Sequence, residues 1–127
     1  MKYELTALVN SLNDRFDINS IHWVLEYVNP YNPFLIDRTG RLTLGTTDPI
    51  IKRVYVSNGL RGFMLRKVIM HELAHCALVS YNLLDDLHRM VKPECLLEAE
   101  ESLCNFIADY GLKIVRKGKI TCQKQRF

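Results

Sequence analysis

The sequence predicts an α+β domain: a small antiparallel sheet packed on one long helix and on a second helix that follows it. Three observations lead there. Residues 60–84 carry Leu65, Val68, Ile69, Leu73, Cys76 and Val79 mostly at three- and four-residue steps, without proline and with the last glycine at Gly62, which is helical periodicity. Three stretches rich in β-formers and separated by turn residues lie ahead of that segment. A second apolar-periodic run, Leu96 to Val115, lies behind it.

Taken in order, residues 3–12 place Leu5, Leu8, Val9 and Leu12 at helical spacing and predict a short helix ending near Asn13-Asp14. His22-Trp23-Val24-Leu25-Glu26-Tyr27-Val28 reads as a strand that stops at Asn29-Pro30. The segment Asn29–Pro33, with two prolines and two asparagines, is a loop, and Asp37-Arg38-Thr39-Gly40 is a turn. Arg41–Gly45 alternates and predicts a second strand, Thr46–Pro49 a further turn, and Ile50–Ser57 a third strand. Such close neighbours in sequence are expected to pair antiparallel. The long helix follows Asn58-Gly59; residues 82–93 are expected to form a loop, and Pro93-Glu94 opens the last helix. The expected organisation is a single domain over 1–112 and a basic tail over 113–127, where Lys113, Arg116, Lys117, Lys119, Lys124 and Arg126 follow the last acid, Asp109.

Composition narrows the function classes. A chain of 127 residues, 48% hydrophobic, is one domain with a small core. A net charge of +3 does not by itself argue for nucleic acid, although the basic tail leaves an acidic or nucleic-acid partner open. No apolar run approaches the roughly 18 residues of a membrane span, and the expectation is no membrane association. Glu4 stands where a signal peptide is apolar, and the four cysteines form no C-x-x-C pair, so free thiols and a cytoplasmic location are expected.

The chemistry concentrates in His71-Glu72-Leu73-Ala74-His75, an H-E-x-x-H motif within the long helix. Residues four apart share a helix face, so His71 and His75 can present two imidazoles to one ion. Glu72 stands about 100° round the helix from His71 and about 60° from His75. From there it reaches a water on the ion without being a ligand. This is the arrangement of a zinc hydrolase: two neutral nitrogens, a carboxylate base and an open coordination position.

A third protein ligand is then required. The candidates are Glu94, Glu98, Glu100, Glu101, His88, Cys95 and Cys104. The metzincin spacing puts Tyr81 where its third histidine belongs and Leu78 where its glycine belongs, which excludes that class. A carboxylate from the following helix is the gluzincin alternative. Glu98, Glu101 and Asn105 step by three and four and share a face. Glu101 as ligand, with Asn105 one turn behind it to orient a ligating group, fits the spacing best, and Glu98 is the next choice. Glu100 is rotated from Glu101 by about 100°.

Two blocks resemble the ImmA/IrrE family of zinc metallopeptidases. One is Val68-Ile69-Met70-His71-Glu72-Leu73-Ala74-His75; the other runs from Glu100-Glu101 through Ser102-Leu103-Cys104-Asn105-Phe106-Ile107 to Ala108. The second is similar to the family's ligand helix, where a glutamate is followed one turn later by asparagine and then by an aromatic and an alanine. Here Ile107 holds the position usual for the aromatic, and Phe106 adjoins Asn105. Small phage-encoded members have a similar layout, with a strand such as Val54-Tyr55-Val56 just ahead of the motif helix. The resemblance covers roughly residues 41–111. It implies a minimal zincin-like fold, zinc on His71, His75 and a helix glutamate, and Glu72 as base.

The expected activity is a zinc-dependent endopeptidase with a protein or peptide substrate. The resemblance implies a regulator of a phage or other mobile element as that substrate. The strand Ile50–Ser57, read as the sheet edge, would receive an extended peptide. The alternative is a catalytically silent binding module that keeps the fold and metal and docks on a protein or nucleic acid.

Overall fold

The computed structural model describes residues 14–125, so the helix expected over 3–12 lies outside the described residues. Four strands, β1 (Asp14–Ile18), β2 (Ile21–Val28), β3 (Gly45–Asp48) and β4 (Arg53–Ser57), precede three helices, α1 (Gly62–Ser80), α2 (Leu84–Met90) and α3 (Leu96–Gln125). The class is α+β, as expected.

The sheet is mixed, not antiparallel. Its order is β1-β2-β4-β3, and the central pair β2–β4 runs parallel, with Val24 opposite Arg53 and Val28 opposite Ser57. The chain leaves β2, crosses beyond the β4 position to lay down β3, and returns as β4 through an antiparallel hairpin. Burial explains the order. Val54, Tyr55, Val56 and Ser57 are all buried, as a strand flanked on both sides requires, whereas β3 is half-buried throughout. The edge beside the motif helix is therefore β3, and the expectation that Ile50–Ser57 forms it is corrected.

Two boundaries shift with it. Of the strand expected over Arg41–Gly45, only Leu42 is bridged, to Ile36, and Gly45 begins β3. Thr46–Asp48, expected as a turn, is strand. The turn lies one step later, where the Asp48 carboxylate accepts from the backbone N–H of Ile50 at 2.9 Å and Lys52 takes a φ of 58°. Pro49 has no N–H to continue the ladder, so the strand ends before it.

β1 has no counterpart among the expected elements. Its five residues, Asp-Arg-Phe-Asp-Ile, are mostly charged, and its hairpin turn is Asn19-Ser20. Both turn residues have positive φ, 50° and 64°, which a two-residue I′-type hairpin demands. The hairpin is tied to the end of α1, where Trp23 Nε1 donates to Ser80 Oγ at 2.8 Å and Asn19 Nδ2 donates to the Ser80 carbonyl at 3.0 Å.

α1 sits between two packing partners. Leu65, Val68, Ile69, Cys76 and Val79 meet the sheet around Trp23, Leu25, Val54 and Val56, while Ala74 and Leu78 meet Cys104, Leu103 and Ile107 of α3. The helix ends at Asn82, in the left-handed region at φ 59°. Leu83 N–H donates to the Leu78 carbonyl at 2.8 Å and Asn82 N–H to that of Val79 at 3.1 Å. These two bonds make a Schellman stop.

The loop expected over 82–93 contains α2. Asp85 and Asp86 stand in its first turn, where the helix dipole favours them, and Arg89 pairs with Asp86 at 2.9 Å. α3 runs 30 residues without a break at Gly111, so the basic segment from Lys113 to Gln125 is its continuation. All four cysteines are free. Among the described residues no helix is long and apolar enough to cross a membrane.

Candidate metal centre

The i, i+4 spacing on α1 brings the two histidine rings together, edge to face with 70° between their planes. Their centroids are 4.9 Å apart and their Nε2 atoms 3.1 Å apart. α3 crosses α1 at Ala74, Leu78 and Cys104, and this contact delivers Glu101 onto the pair. One Glu101 oxygen lies 3.1 Å from His71 Nε2 and the other 3.1 Å from His75 Nε2. His71, His75 and Glu101 thus offer three donor atoms all within 4.8 Å of one another, a group that could hold a metal ion.

The donors fit a small divalent cation. Two imidazoles bound at about 2.0–2.1 Å in a tetrahedral array place their nitrogens roughly 3.3 Å apart, close to the separation seen here. Both Nε2 atoms aim at one point, and two lone pairs aimed at each other repel unless a proton or a cation stands between them. In the metal-free chain that role falls to a proton. Burial opposes charge on His75, but the Cys104 thiol and the Glu100 and Glu101 carboxylates outweigh it and push His75 up to about 12. The same histidines hold the Glu101 carboxyl well below the ordinary carboxylate range, against the opposing effect of burial. Two nitrogens and one oxygen are borderline donors that suit zinc and its first-row neighbours alike.

Glu72 lies beside this group and belongs to it differently. It is buried, its Oε2 is 4.0 Å from His71 Nε2, and its Oε1 accepts from Thr47 Oγ1 at 2.9 Å. Burial raises its pKa, opposed by His75, His71 and the Thr47 hydroxyl. A buried carboxylate beside a cation site is placed for proton transfer. β3 reaches Glu72 only because residue 45 is glycine. A Cβ there would stand 2.8 Å from Val68 Cγ1 and 3.1 Å from Glu72 Cγ.

An open cleft of about 810 Å³ runs over these groups, between β3, the Pro33–Arg38 segment, α1 and α3. Phe34, Ile36, Leu44 and Met64 give it apolar walls; His71, Glu72, His75 and Glu101 give it a polar floor. Glu101 is 43% exposed on the cleft side, so the donor group is open there.

The structure thus brings His71, Glu72, His75 and Glu101 together, with two further candidates, Glu100 and Cys104, beside His75. Glu98 is exposed and away from the cleft, and so are Glu94 and His88. Asn105 lines the cleft but, among the described residues, makes no hydrogen bond to Glu101; the orienting role expected of it is not seen. Two neighbours, Thr47 and Gly45, escaped sequence reading, and a third, Glu100, was read only as a candidate ligand. Thr47 holds Glu72, Gly45 admits β3, and Glu100 faces the other nitrogen of His75, with 3.8 Å between Glu100 Oε1 and His75 Nδ1. Only Glu100 left a signal, as a glutamate adjoining Glu101 in a helix otherwise apolar on its packed side. No protein-family model matches the chain, and no curated protein or solved structure is significantly similar to it.

Proposed function

We propose that the chain is a zinc-dependent metallo-endopeptidase with a minimal zincin-like arrangement of the ImmA/IrrE type, acting on a regulatory protein of a phage or other mobile element. The observation that carries this reading is the convergence of His71, His75 and Glu101 on one point, with buried Glu72 alongside and an open cleft above. The family and the substrate rest on the sequence resemblance; the metal and the reaction rest on the donor set.

His71, His75 and Glu101 would hold the zinc, which would supply a Lewis acid for the scissile carbonyl and a water of lowered pKa. Glu72 takes the proton of the attacking water on the oxygen not engaged by Thr47 and passes it to the leaving amine. The edge of β3, unpaired among the described residues and lining the cleft, offers main-chain hydrogen bonds to an extended peptide. The apolar walls favour apolar side chains on either side of the scissile bond.

Metal analysis of the wild type, Glu101→Ala and Glu98→Ala tests the centre first. About one zinc per chain is expected in the wild type and in Glu98→Ala, and none in Glu101→Ala. Glu72→Gln is expected to keep its zinc and lose cleavage by about 10²–10⁴-fold, the worth of a general base. Cleavage retained in that variant refutes the role given to Glu72.

A second reading, a metal-bearing module that binds without cutting, is favoured by the five cations from Lys113 to Lys124 on the exposed end of α3. It predicts partner binding that weakens steeply with salt and with the triple change Lys113→Glu, Lys117→Glu and Lys124→Glu.

A further inference from the structure

We propose that Glu100 is a positioning residue for His75 and that Arg38 anchors Glu100 for this task; the inference rests on the metal-centre reading above.

Glu100 is 6% exposed, and an ionised carboxylate is not buried without partners. One oxygen has its partner: Arg38 Nη2 donates to Glu100 Oε2. The other, Oε1, faces His75 Nδ1 at 3.8 Å, within ion-pair distance and a few tenths of an ångström beyond a hydrogen bond. Consecutive helix residues point about 100° apart, so adjacent glutamates of α3 address the two nitrogens of one ring. Glu101 takes the Nε2 side and Glu100 the Nδ1 side.

A histidine that ligates through Nε2 must carry its proton on Nδ1, and an acceptor there fixes both tautomer and ring orientation. Glu100 is a carboxylate placed for that duty. Arg38 is itself held in a preorganised turn. Asp37 Oδ1 accepts from Thr39 N at 2.8 Å, Thr39 Oγ1 at 2.6 Å and Arg41 N at 3.1 Å. The line Asp37 turn, Arg38, Glu100, His75 therefore connects the rim of the cleft to a metal ligand. The competing explanation is a structural ion pair that only pins the turn to α3; it predicts lost stability with unaltered metal affinity. The Cys104 thiol also contacts His75 and is the rival partner on the ring.

The test is zinc affinity, measured by competition with a chromophoric chelator, with far-UV circular dichroism as the check on folding. Glu100→Gln keeps the size and an amide oxygen for Arg38. It is expected to bind one zinc about 10–100-fold more weakly than the wild type, the usual worth of a group that orients a ligand. Arg38→Ala should weaken binding by a smaller factor, Arg38→Lys should recover part of it, and Arg38→Ala added to Glu100→Gln should cost less than it does alone. The cobalt-loaded Glu100→Gln chain should show a shifted visible spectrum. Lys119→Gln, on the exposed end of α3, should leave affinity unchanged, and Cys104→Ala should weaken it less than Glu100→Gln does. A folded Glu100→Gln chain that binds zinc as tightly as the wild type overturns the proposal, as does a larger loss in Cys104→Ala. If Glu100→Gln does not fold, Arg38→Ala decides, and unaltered affinity there overturns it equally. A wild type that takes up no zinc removes the metal-centre reading along with this one, whereas a zinc-binding wild type with unaltered variants removes this one alone.

Discussion

The two halves of α3 are one continuous helix and differ in almost everything else. From Leu96 to Gly111 the helix packs against α1 through Leu103, Cys104 and Ile107, is tied to it by Lys67 and Asp109 at 3.1 Å, and carries Glu100 and Glu101. From Leu112 to Lys124 every residue is exposed. Gly111 marks the change. A Cβ on it would still meet Ile107 and Met70 at ordinary contact distances, whereas one on Gly118 would meet nothing. The near half is specified by its contacts. The far half follows because the costly first turn of a helix is already formed next to it and each added residue needs only one more bond. Basic residues near its end suit the negative pole of the helix. The end of the apolar periodicity thus marked where the packing stops, near residue 112, but not that the helix continues beyond it to Gln125.

The sharpest way to break this comparison is the metal. Glu101→Ala in the near half is expected to abolish zinc uptake, and Lys117→Ala in the far half to leave one zinc per chain; equal uptake in the two would erase the distinction. Stability comes next. Leu103→Ala removes a side chain wedged between α3 and α1 and should cost about 2 kcal/mol in urea unfolding, the low end for a partly buried leucine. Ile114→Ala should stay within about 0.5 kcal/mol, as surface changes do.

The pH response sharpens the contrast further. His75 is raised from 6.5 to about 12, so in the metal-free chain its contribution is fully present below pH 6.5 and is lost as pH rises toward 12. Glu100 is lowered from 4.5 to about 2 by the facing His75 imidazole and, against burial, by the Arg38 guanidinium. Its contribution is present above pH 4.5 and lost as pH falls toward 2. Metal-free protein should therefore melt highest between about pH 4.5 and 6.5 and lower at pH 8. Zinc-loaded protein should show the opposite trend over pH 6 to 8, because the metal needs neutral imidazoles. Thermal melts with and without chelator check both signs.

The smallest effects fall on the glycines. Gly111→Ala should stabilise the fold by about 0.5–1 kcal/mol, since helical glycine is costly and the added methyl finds ordinary contacts. Gly118→Ala should raise the helical signal in circular dichroism with little change in the melting temperature. A melting shift as large as that of Gly111→Ala would mean that the far half unfolds together with the body.

The sequence by itself determined what depends on near neighbours. The 3.6-residue period of Leu65, Val68, Ile69 and Leu73 placed α1, and the four-residue step from His71 to His75 made the paired imidazoles, because a helix converts sequence spacing directly into a face. Val54-Tyr55-Val56 was legible as a strand for the same local reason. The step from Glu98 to Glu101 to Asn105 correctly put three residues on one side of α3, but not which of them meets α1. That depends on where two helices cross, at Ala74, Leu78 and Cys104, and no spacing encodes a crossing point. The spacing preferred Glu101 to Glu98, but only the tertiary structure brought Glu101 against the two histidines, turned Glu100 inward to His75 and left Asn105 without the expected bond. It also decided the sheet order. The β2–β4 pair joins strands separated by a whole crossover, and this parallel pairing depends on burial of Val54 and Val56 on one face and Tyr55 on the other, which is invisible in either strand alone. Gly45 and Thr47 belong to the same kind. Their importance comes from lying against Glu72, which is far from them along the chain and adjacent in space.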